Sequence, residues 1–271
     1  MAQTFRQAEI VDIARREGKV IVDELAERFG VTLQTIRRDL SELAETGKLE
    51  RVHGGAVLTS GTANIQYEQR RELNYPGKMD IARACAAHLP NDCSIFLNLG
   101  TTTETVAEQL LGHRNIMVVT NNMNVANILA ASEDCQVIVT GGALRRSDGG
   151  LTGDLTTATI RQFKFDYAVI GCSALDEDGD ILDFDIQEVG VSQSIIRQSR
   201  NVYLVADHTK FQRNAPARIG SLADIDGFFT DHPVASKLQQ ACTEWGTKVH
   251  VTTPETGAVK PADNDDTNST D

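Results

Sequence analysis

The sequence predicts an N-terminal winged helix-turn-helix followed by an α/β domain built on a mostly parallel sheet. Three observations predict it. Before residue 46, apolar residues recur at helical spacing in short stretches, and a Gly54-Gly55 break follows. From Met79 onward, short apolar strands alternate with helical stretches. Several of those strands end in small polar residues, where open α/β sheets hold ligands.

A first helix is expected from about Gln7 to Glu17, with Ile10, Ile13 and Ala14 on one face and Gly18 as its stop. Val22, Leu25, Ala26 and Phe29 form a second amphipathic set, ended by Gly30. Gly30-Val31-Thr32 then fits the turn between two helices, and the Thr32 hydroxyl suits an N-cap. In the third helix Ile36, Leu40 and Leu43 share one face. Gln34, Arg38, Ser41 and Glu45 point the opposite way, with Thr35 and Arg37 on the flanks. After Gly47, Leu49 to His53 alternates as a strand does, which makes a short wing carrying Arg51 and His53.

That outward face has the chemistry of a DNA reader. Arginine forks onto guanine and glutamine onto adenine in the major groove, and a recognition helix brings its early residues nearest the bases. Gln34 and Arg38 are therefore the expected base contacts. Thr35 and Arg37 are expected on phosphates, with Thr32 and Ser41 on the same surface and Arg51 and His53 on backbone or minor groove. Alone, Arg37-Arg38 is only a charge pair on a solvated helix. The turn, the helix phase and the Gly-Gly wing together favour double-stranded DNA.

Charge sharpens this. The chain carries a formal net charge of -12, which argues against general adhesion to polyanions. Through Ser60, nine lysines and arginines face ten aspartates and glutamates, so the head is near neutral. Specific, salt-sensitive binding through a local patch is the expectation.

The chain of 271 residues, 41% hydrophobic, is long enough for two domains with real cores. No apolar run approaches the ~20 residues that span a bilayer, and the N-terminus shows no signal-peptide stretch. A cytoplasmic protein without membrane contact is expected. Its five cysteines are scattered without a C-x-x-C pair, so no disulfide framework or zinc site is expected, and four of them suit buried thiols. The six histidines are scattered too, and no metal or cofactor is assigned. The expected division is a head over 1–57, a linker over 58–75, an α/β domain over 76–253 and a solvated acidic tail over 254–271. The linker's latter part is polar and helix-prone.

In the α/β domain a helix near Asp80 to His88 precedes the strand Ser94 to Leu99. Gly100-Thr101-Thr102 opens the next helix, and its N–H groups and hydroxyls suit an anion. Thr120-Asn121 and Gly141-Gly142 end the next two strands, Ile116 to Val119 and Gln136 to Val139. Two further strands run from Tyr167 and from Val202 to Asp207. Lys210 follows the latter and offers a point charge to a phosphate. Asp183, Asp185 and Glu188 suit sugar or polyol hydroxyls. Each has a plainer role as turn, cap or solvated loop. Together they point to a phosphorylated small molecule. No G-x-G-x-x-G follows a strand, so a dinucleotide is disfavoured.

Thr35-Ile36-Arg37-Arg38-Asp39-Leu40 and His53-Gly54-Gly55-Ala56 resemble the head of the DeoR-type bacterial regulators. The resemblance continues to about residue 250 through Thr120 to Asn127, Asp148-Gly149-Gly150, Asp207-His208-Thr209-Lys210-Phe211 and Arg213-Asn214-Ala215. It implies a non-catalytic sensor domain similar to ribose-5-phosphate isomerase, and a repressor released by a phosphorylated metabolite. It also implies phosphate-pocket roles for Gly100, Thr101, Thr102, Thr120, Asn121 and Lys210. Within the family, the resemblance is to the branch answering to glycerol-3-phosphate, and a homo-oligomer, dimer or tetramer, is expected on paired half-sites. Fructose-1-phosphate as effector and a sugar-phosphate isomerase are the alternatives. The chain departs from the pattern at Asn98, where Asp is usual, at Gly190, where Arg is, and at Ser192-Gln193, where Lys-Arg is.

Overall fold

The computed structural model describes residues 3–17, 19–46, 48–52, 54–58 and 67–252. The expected tail and His53 lie outside them.

The head runs α1 (Gln3–Glu17), β1 (Lys19–Ile21), α2 (Val22–Phe29), α3 (Leu33–Glu45), β2 (Leu49–Val52) and β3 (Gly55–Leu58). The expected wing is the antiparallel pair β2–β3, and β1, which the sequence pattern did not signal, pairs with β3 from the other side. Gly30 closes α2 at φ 62°, a conformation open to glycine at little cost. Thr32 then caps α3, accepting the Thr35 N–H at 3.2 Å. Ile10, Ile13, Leu25, Ile36, Leu40 and Leu43 are buried together as one core.

Two polar ties fasten α1 to α3. Arg6 Nε donates to Asp39 Oδ2 at 2.5 Å and its Nη2 to Oδ1 at 3.2 Å, and both residues are buried. Glu42 accepts from Gln3 at 2.7 Å and Gln7 at 2.8 Å. Asp39, inside the motif Ile36-Arg37-Arg38-Asp39-Leu40, thus ties α3 to α1 and does not face the outer surface of α3.

The α/β domain contains α4 (Tyr67–Glu72), α5 (Tyr75–Ala87), β4 (Ser94–Leu97), α6 (Thr101–Gln109), β5 (Ile116–Thr120), α7 (Met123–Leu129) and β6 (Cys135–Val139). Next come β7 (Ala143–Arg145), β8 (Gly150–Thr152), α8 (Asp154–Ile160), β9 (Phe165–Ile170), β10 (Ala174–Leu175), β11 (Asp180–Asp183) and α9 (Ile186–Arg197). The chain continues through β12 (Ser199–Val205), β13 (Ala217–Ser221), β14 (Gly227–Thr230), α10 (Ser236–Trp245) and β15 (Lys248–Val251).

The main sheet has seven strands in the order β15-β14-β12-β9-β4-β5-β6, and every neighbouring pair is parallel. Helices α5, α6 and α7 bury Ile81, Cys85, Val106, Leu110, Val125 and Leu129 on one face. Helices α8, α9 and α10 bury Ile160, Val191, Ile195, Leu238 and Cys242 on the other. The hairpin β7–β8 and a small antiparallel sheet β10-β11-β13 stand apart from the main sheet. No described helix is long and apolar enough to cross a membrane.

Two expectations change. The latter part of the stretch read as linker forms α4, which is fastened to the α/β domain: Tyr67 Oη donates to Glu104 at 2.7 Å and Arg70 Nη2 to Asp148 at 3.1 Å. Of the thiols, Cys85 and Cys242 are buried while Cys93, Cys135 and Cys172 are half-buried, and all five are free.

Candidate functional site

Two places gather the predicted residues. On α3, Thr32, Gln34, Arg37, Arg38 and Ser41 are exposed and Thr35 is half-exposed, so they form one solvent-facing surface. The Arg38 side chain is 76% exposed and pairs with Glu42 at 3.1 Å. Hydrogen bonds from Gln7 and Arg38 hold the Glu42 carboxyl below its ordinary range. Ser41 Oγ and Arg51 Nη1 both donate to the Arg37 carbonyl, at 2.8 and 3.0 Å. Arg51 therefore locks the wing onto α3 while remaining exposed. Gln34 and Arg38 are left as long, solvated donors early in the helix.

The second place is a cavity at the carboxyl ends of β4, β9 and β12. Gly100, Thr101, Thr102, Asp183, Glu188 and Lys210 line it, together with Arg70, Cys172 and Ser173. Gly100 N-caps α6, so the first turn of that helix opens into the cavity.

Four cations crowd this end of the sheet. Burial pushes Lys210 down to about 8, and nearby Arg213 and Arg70 push the same way against Asp207. Lys78 falls to about 7, through burial first and then Lys210, Arg213 and Arg70, again against Asp207. Arg213 is lowered by burial. Lys78 donates to the Arg70 carbonyl. Arg70 Nε and Arg213 Nη1 are buried without a hydrogen-bond partner among the described residues. A cluster of this kind is strained by its own repulsion and by unmade bonds, and a small anion relieves both.

The opposite wall is acidic. Arg145 on β7 donates to Asp148 at 2.9 and 2.8 Å, to Asp185 at 2.7 Å and to Glu188 at 2.7 Å. Burial and then Asp183 push Glu188 up to about 7 despite Arg145. Asp183 Oδ1 accepts from the N–H groups of Phe184 and Asp185. Asp185 caps α9 through the Gln187 N–H at 2.9 Å and is not among the lining residues.

The structure places four other predicted residues away from the lining, in the plainer roles. Thr120 Oγ1 donates to Leu97 O at 2.7 Å, joining β5 to β4. Asn121 Nδ2 donates to Leu151 O at 3.2 Å and holds β8. Gly141 O accepts from Thr156 at 2.7 Å, and a Cβ added to Gly142 would stand 2.2 Å from Thr156 Oγ1. Close packing of α8 against that turn explains the glycines.

Arg70, Lys78, Arg145 and Arg213 were not among the predicted site residues. One carried a signal: Lys78 precedes Ile81, Ala82 and Cys85 at i+3, i+4 and i+7, so it falls on the buried stripe of α5. The departures from the family pattern also meet here. Asn98 Nδ2 donates to Ser192 Oγ at 2.9 Å, so two of the altered positions form one neutral buried pair next to Leu99 and Gly100 of the lining.

Residues 6–62 match the DeoR-like helix-turn-helix domain and residues 73–232 the DeoR C terminal sensor domain. The chain is 44% identical to the glycerol-3-phosphate regulon repressor of Escherichia coli, over 90% of this chain and 97% of that protein. It is 42% identical to the protein of the same description from Haemophilus influenzae, over 85% of this chain and 90% of that one. Among solved structures, ribose 5 phosphate isomerase A from Neisseria gonorrhoeae aligns with 52% of this chain and 54% of its own, at 14% identity and a TM-score of 0.36. A likeness that distant carries no chemistry across.

Proposed function

The chain belongs to the DeoR family, and on that premise we propose that it is a transcriptional repressor of glycerol-3-phosphate metabolism. It reads double-stranded operator DNA through α3 and releases it on binding sn-glycerol-3-phosphate. Gln34 and Arg38 contact bases, Thr32, Thr35, Arg37 and Ser41 contact phosphates, and Arg51 holds the wing. It works in the cytoplasm as a homo-oligomer, dimer or tetramer, on half-sites about 34 Å apart or multiples of that spacing. Leu144, Leu155 and Ile186, exposed at 58, 61 and 72%, are apolar surface available to its subunit contacts.

The observation that carries this reading is the cluster of Arg70, Lys78, Lys210 and Arg213 behind the Gly100-Thr101-Thr102 turn. The phosphate binds there, on the first turn of α6, while Asp183 and Glu188 receive the hydroxyls. Coupling requires the effector to favour the state that does not bind DNA. Arg70 supplies a route, since it lines the cavity, pairs with Asp148 at 3.1 Å and sits on α4, the first described helix after the head. An effector phosphate competes with Asp148 for Arg70 and so moves α4. On this division the head spans 1–58 and α4 belongs with the sensor. The neutral Asn98–Ser192 pair favours a second effector, a sugar phosphate such as fructose-1-phosphate.

Fluorescence anisotropy on DNA from upstream of the chain's own gene and its neighbours tests this. Tight binding released by glycerol-3-phosphate alone is expected. Release only by fructose-1-phosphate selects the second effector, and release only by ribose-5-phosphate or fructose-6-phosphate counts against both. An absence of specific binding at low salt overturns the head's role.

A further inference from the structure

At the carboxyl ends of β12 and β14, three metal-ligating side chains converge, His208 after the first strand and the consecutive Asp231 and His232 after the second. His208 Nδ1 lies 2.8 Å from Asp231 Oδ2, and His232 Nδ1 lies 3.2 Å from the same oxygen. The ligand atoms of all three lie within 4.8 Å of one another, and the two imidazole centroids are 4.1 Å apart. Bonds of about 2.0–2.1 Å in a tetrahedral zinc site set ligand atoms roughly 3.3 Å apart. Two of the three separations are already at or inside that spacing.

Two features distinguish the cluster from an ordinary hydrogen-bond knot. First, a single carboxylate oxygen faces three nitrogens, because Asn74 Nδ2 also lies 2.7 Å from Asp231 Oδ2. Both imidazoles turn the same atom, Nδ1, toward it. One divalent ion placed among these atoms replaces two imidazole protons and satisfies both rings at once. Second, Gly77 lets the backbone of α5 pack closely against the carboxylate. A Cβ there would stand 2.7 Å from Asp231 Oδ2 and 2.6 Å from Asn74 Nδ2. Asp231 is 7% exposed and His208 half-buried, while the His232 side chain is 61% exposed, so the cluster has a rigid floor and one side open to solvent.

We propose that His208, Asp231 and His232 bind a divalent transition-metal ion of the Zn2+ class, with solvent at the open position and Asn74 supporting Asp231. Two imidazole nitrogens and one carboxylate oxygen suit Zn2+, Co2+ or Ni2+, whereas Ca2+ and Mg2+ require more oxygen ligands. The ion joins the end of β14 to the turn His208–Gln212, which carries Lys210. Its occupancy therefore restrains a wall of the cavity. The site itself stands whether or not the cavity takes a phosphate.

The test uses the full-length, untagged chain stripped with a chelator. Co2+ is titrated while its visible absorption is followed, and Zn2+ is then added in competition. We expect one equivalent per chain with the intense band of a tetrahedral ion, lost on adding Zn2+. His232→Ala, at an exposed position, should keep the fold by circular dichroism and weaken binding by at least the roughly tenfold that loss of an outer-sphere partner costs. His208→Ala should do the same. A pale, aquo-like Co2+ spectrum overturns the proposal, as does a His232→Ala variant that binds as tightly as the parent chain. DNA binding measured on the same samples keeps a failure here separate from a failure of the repressor reading.

Discussion

The recognition face of α3 and the cavity of the α/β domain hold their basic residues under opposite conditions. Arg37 and Arg38 stand in solvent, where a charge is nearly free of cost and waits for a large polyanion to arrive. Lys78, Lys210 and Arg213 are largely shut away from water and pressed against one another. A surface charge contributes to binding without disturbing the fold. A buried cluster weakens the free protein and regains that free energy when a small anion enters. Removing a charge should thus leave stability unchanged on the recognition face and raise it in the buried cluster.

The largest effect is expected where the head breaks its own pattern. Asp39 is 1% exposed and holds Arg6. Asp39→Ala leaves a buried guanidinium without its partner, a change that costs about 3–5 kcal/mol. Urea unfolding should show the head melting early, with loss of DNA binding, while the unfolding of the α/β domain stays in place. An unmoved head would mean that the Arg6–Asp39 pair does not hold α3 to α1.

Lys210→Met should do the reverse in the other region. The free protein should gain stability, because one member of the repelling cluster is gone. Effector affinity should fall by about 1.5–3 kcal/mol, the scale of a hydrogen bond to a charged group. Thermal shift without ligand and calorimetry with glycerol-3-phosphate read the two halves separately. A variant both less stable and unimpaired in binding would remove the cluster from the effector site.

Arg38→Ala should leave melting unchanged, since its one side-chain partner among the described residues, Glu42, keeps Gln3 and Gln7. Discrimination between operator and scrambled DNA should drop by about 1–3 kcal/mol. Unchanged discrimination would reassign base reading to Gln34 and its neighbours.

The same contrast explains what the sequence made legible. The head was readable because its information is local. Ile36, Leu40 and Leu43 fix the phase of α3, and Gln34 and Arg38 follow from it. Five of the seven strands of the main sheet, β4, β5, β6, β9 and β12, are readable as apolar runs, and inner strand β14, Gly227-Phe228-Phe229-Thr230, offers a similar run. Short polar strands such as β11 and β13 take their structure from pairing partners far along the chain and carry no periodicity of their own. The cavity was half legible. Gly100-Thr101-Thr102 and Lys210 stand at strand ends, whereas Arg70, Arg145 and Arg213 reach the region through tertiary packing alone. His208, Asp231 and His232 are hidden for the same reason, because the nearest approach of two β-strand ends is not a spacing in the sequence.

The most diagnostic effect is in pH. In the free protein Lys78 and Lys210 titrate at about 7 and about 8, below the ordinary value of 10.5. The unfolded chain therefore binds more protons than the folded one from about pH 7 up to the ordinary lysine range, so stability without effector should rise with pH across that window. A phosphate in the cluster raises both values. Below about pH 7 the lysines already carry their protons and binding needs no uptake. Above about pH 7 for Lys78 and about pH 8 for Lys210, each lysine must take up a proton with the ligand, so affinity should fall by about tenfold per pH unit per lysine, or about 1.4 kcal/mol. Glu188, titrating at about 7, adds negative charge to the lining over the same range and pushes in the same direction. On the acid side, the second ionisation of the phosphate near about 6 sets the limit. Calorimetry in buffers of differing ionisation heat should detect this proton uptake directly, while DNA binding, if it runs through the exposed Arg37 and Arg38 as proposed, should show no such change between about pH 7 and 9. Binding of glycerol-3-phosphate without proton uptake would mean that the anion does not seat on the buried lysines, and the contrast between the two regions would then rest on exposure alone.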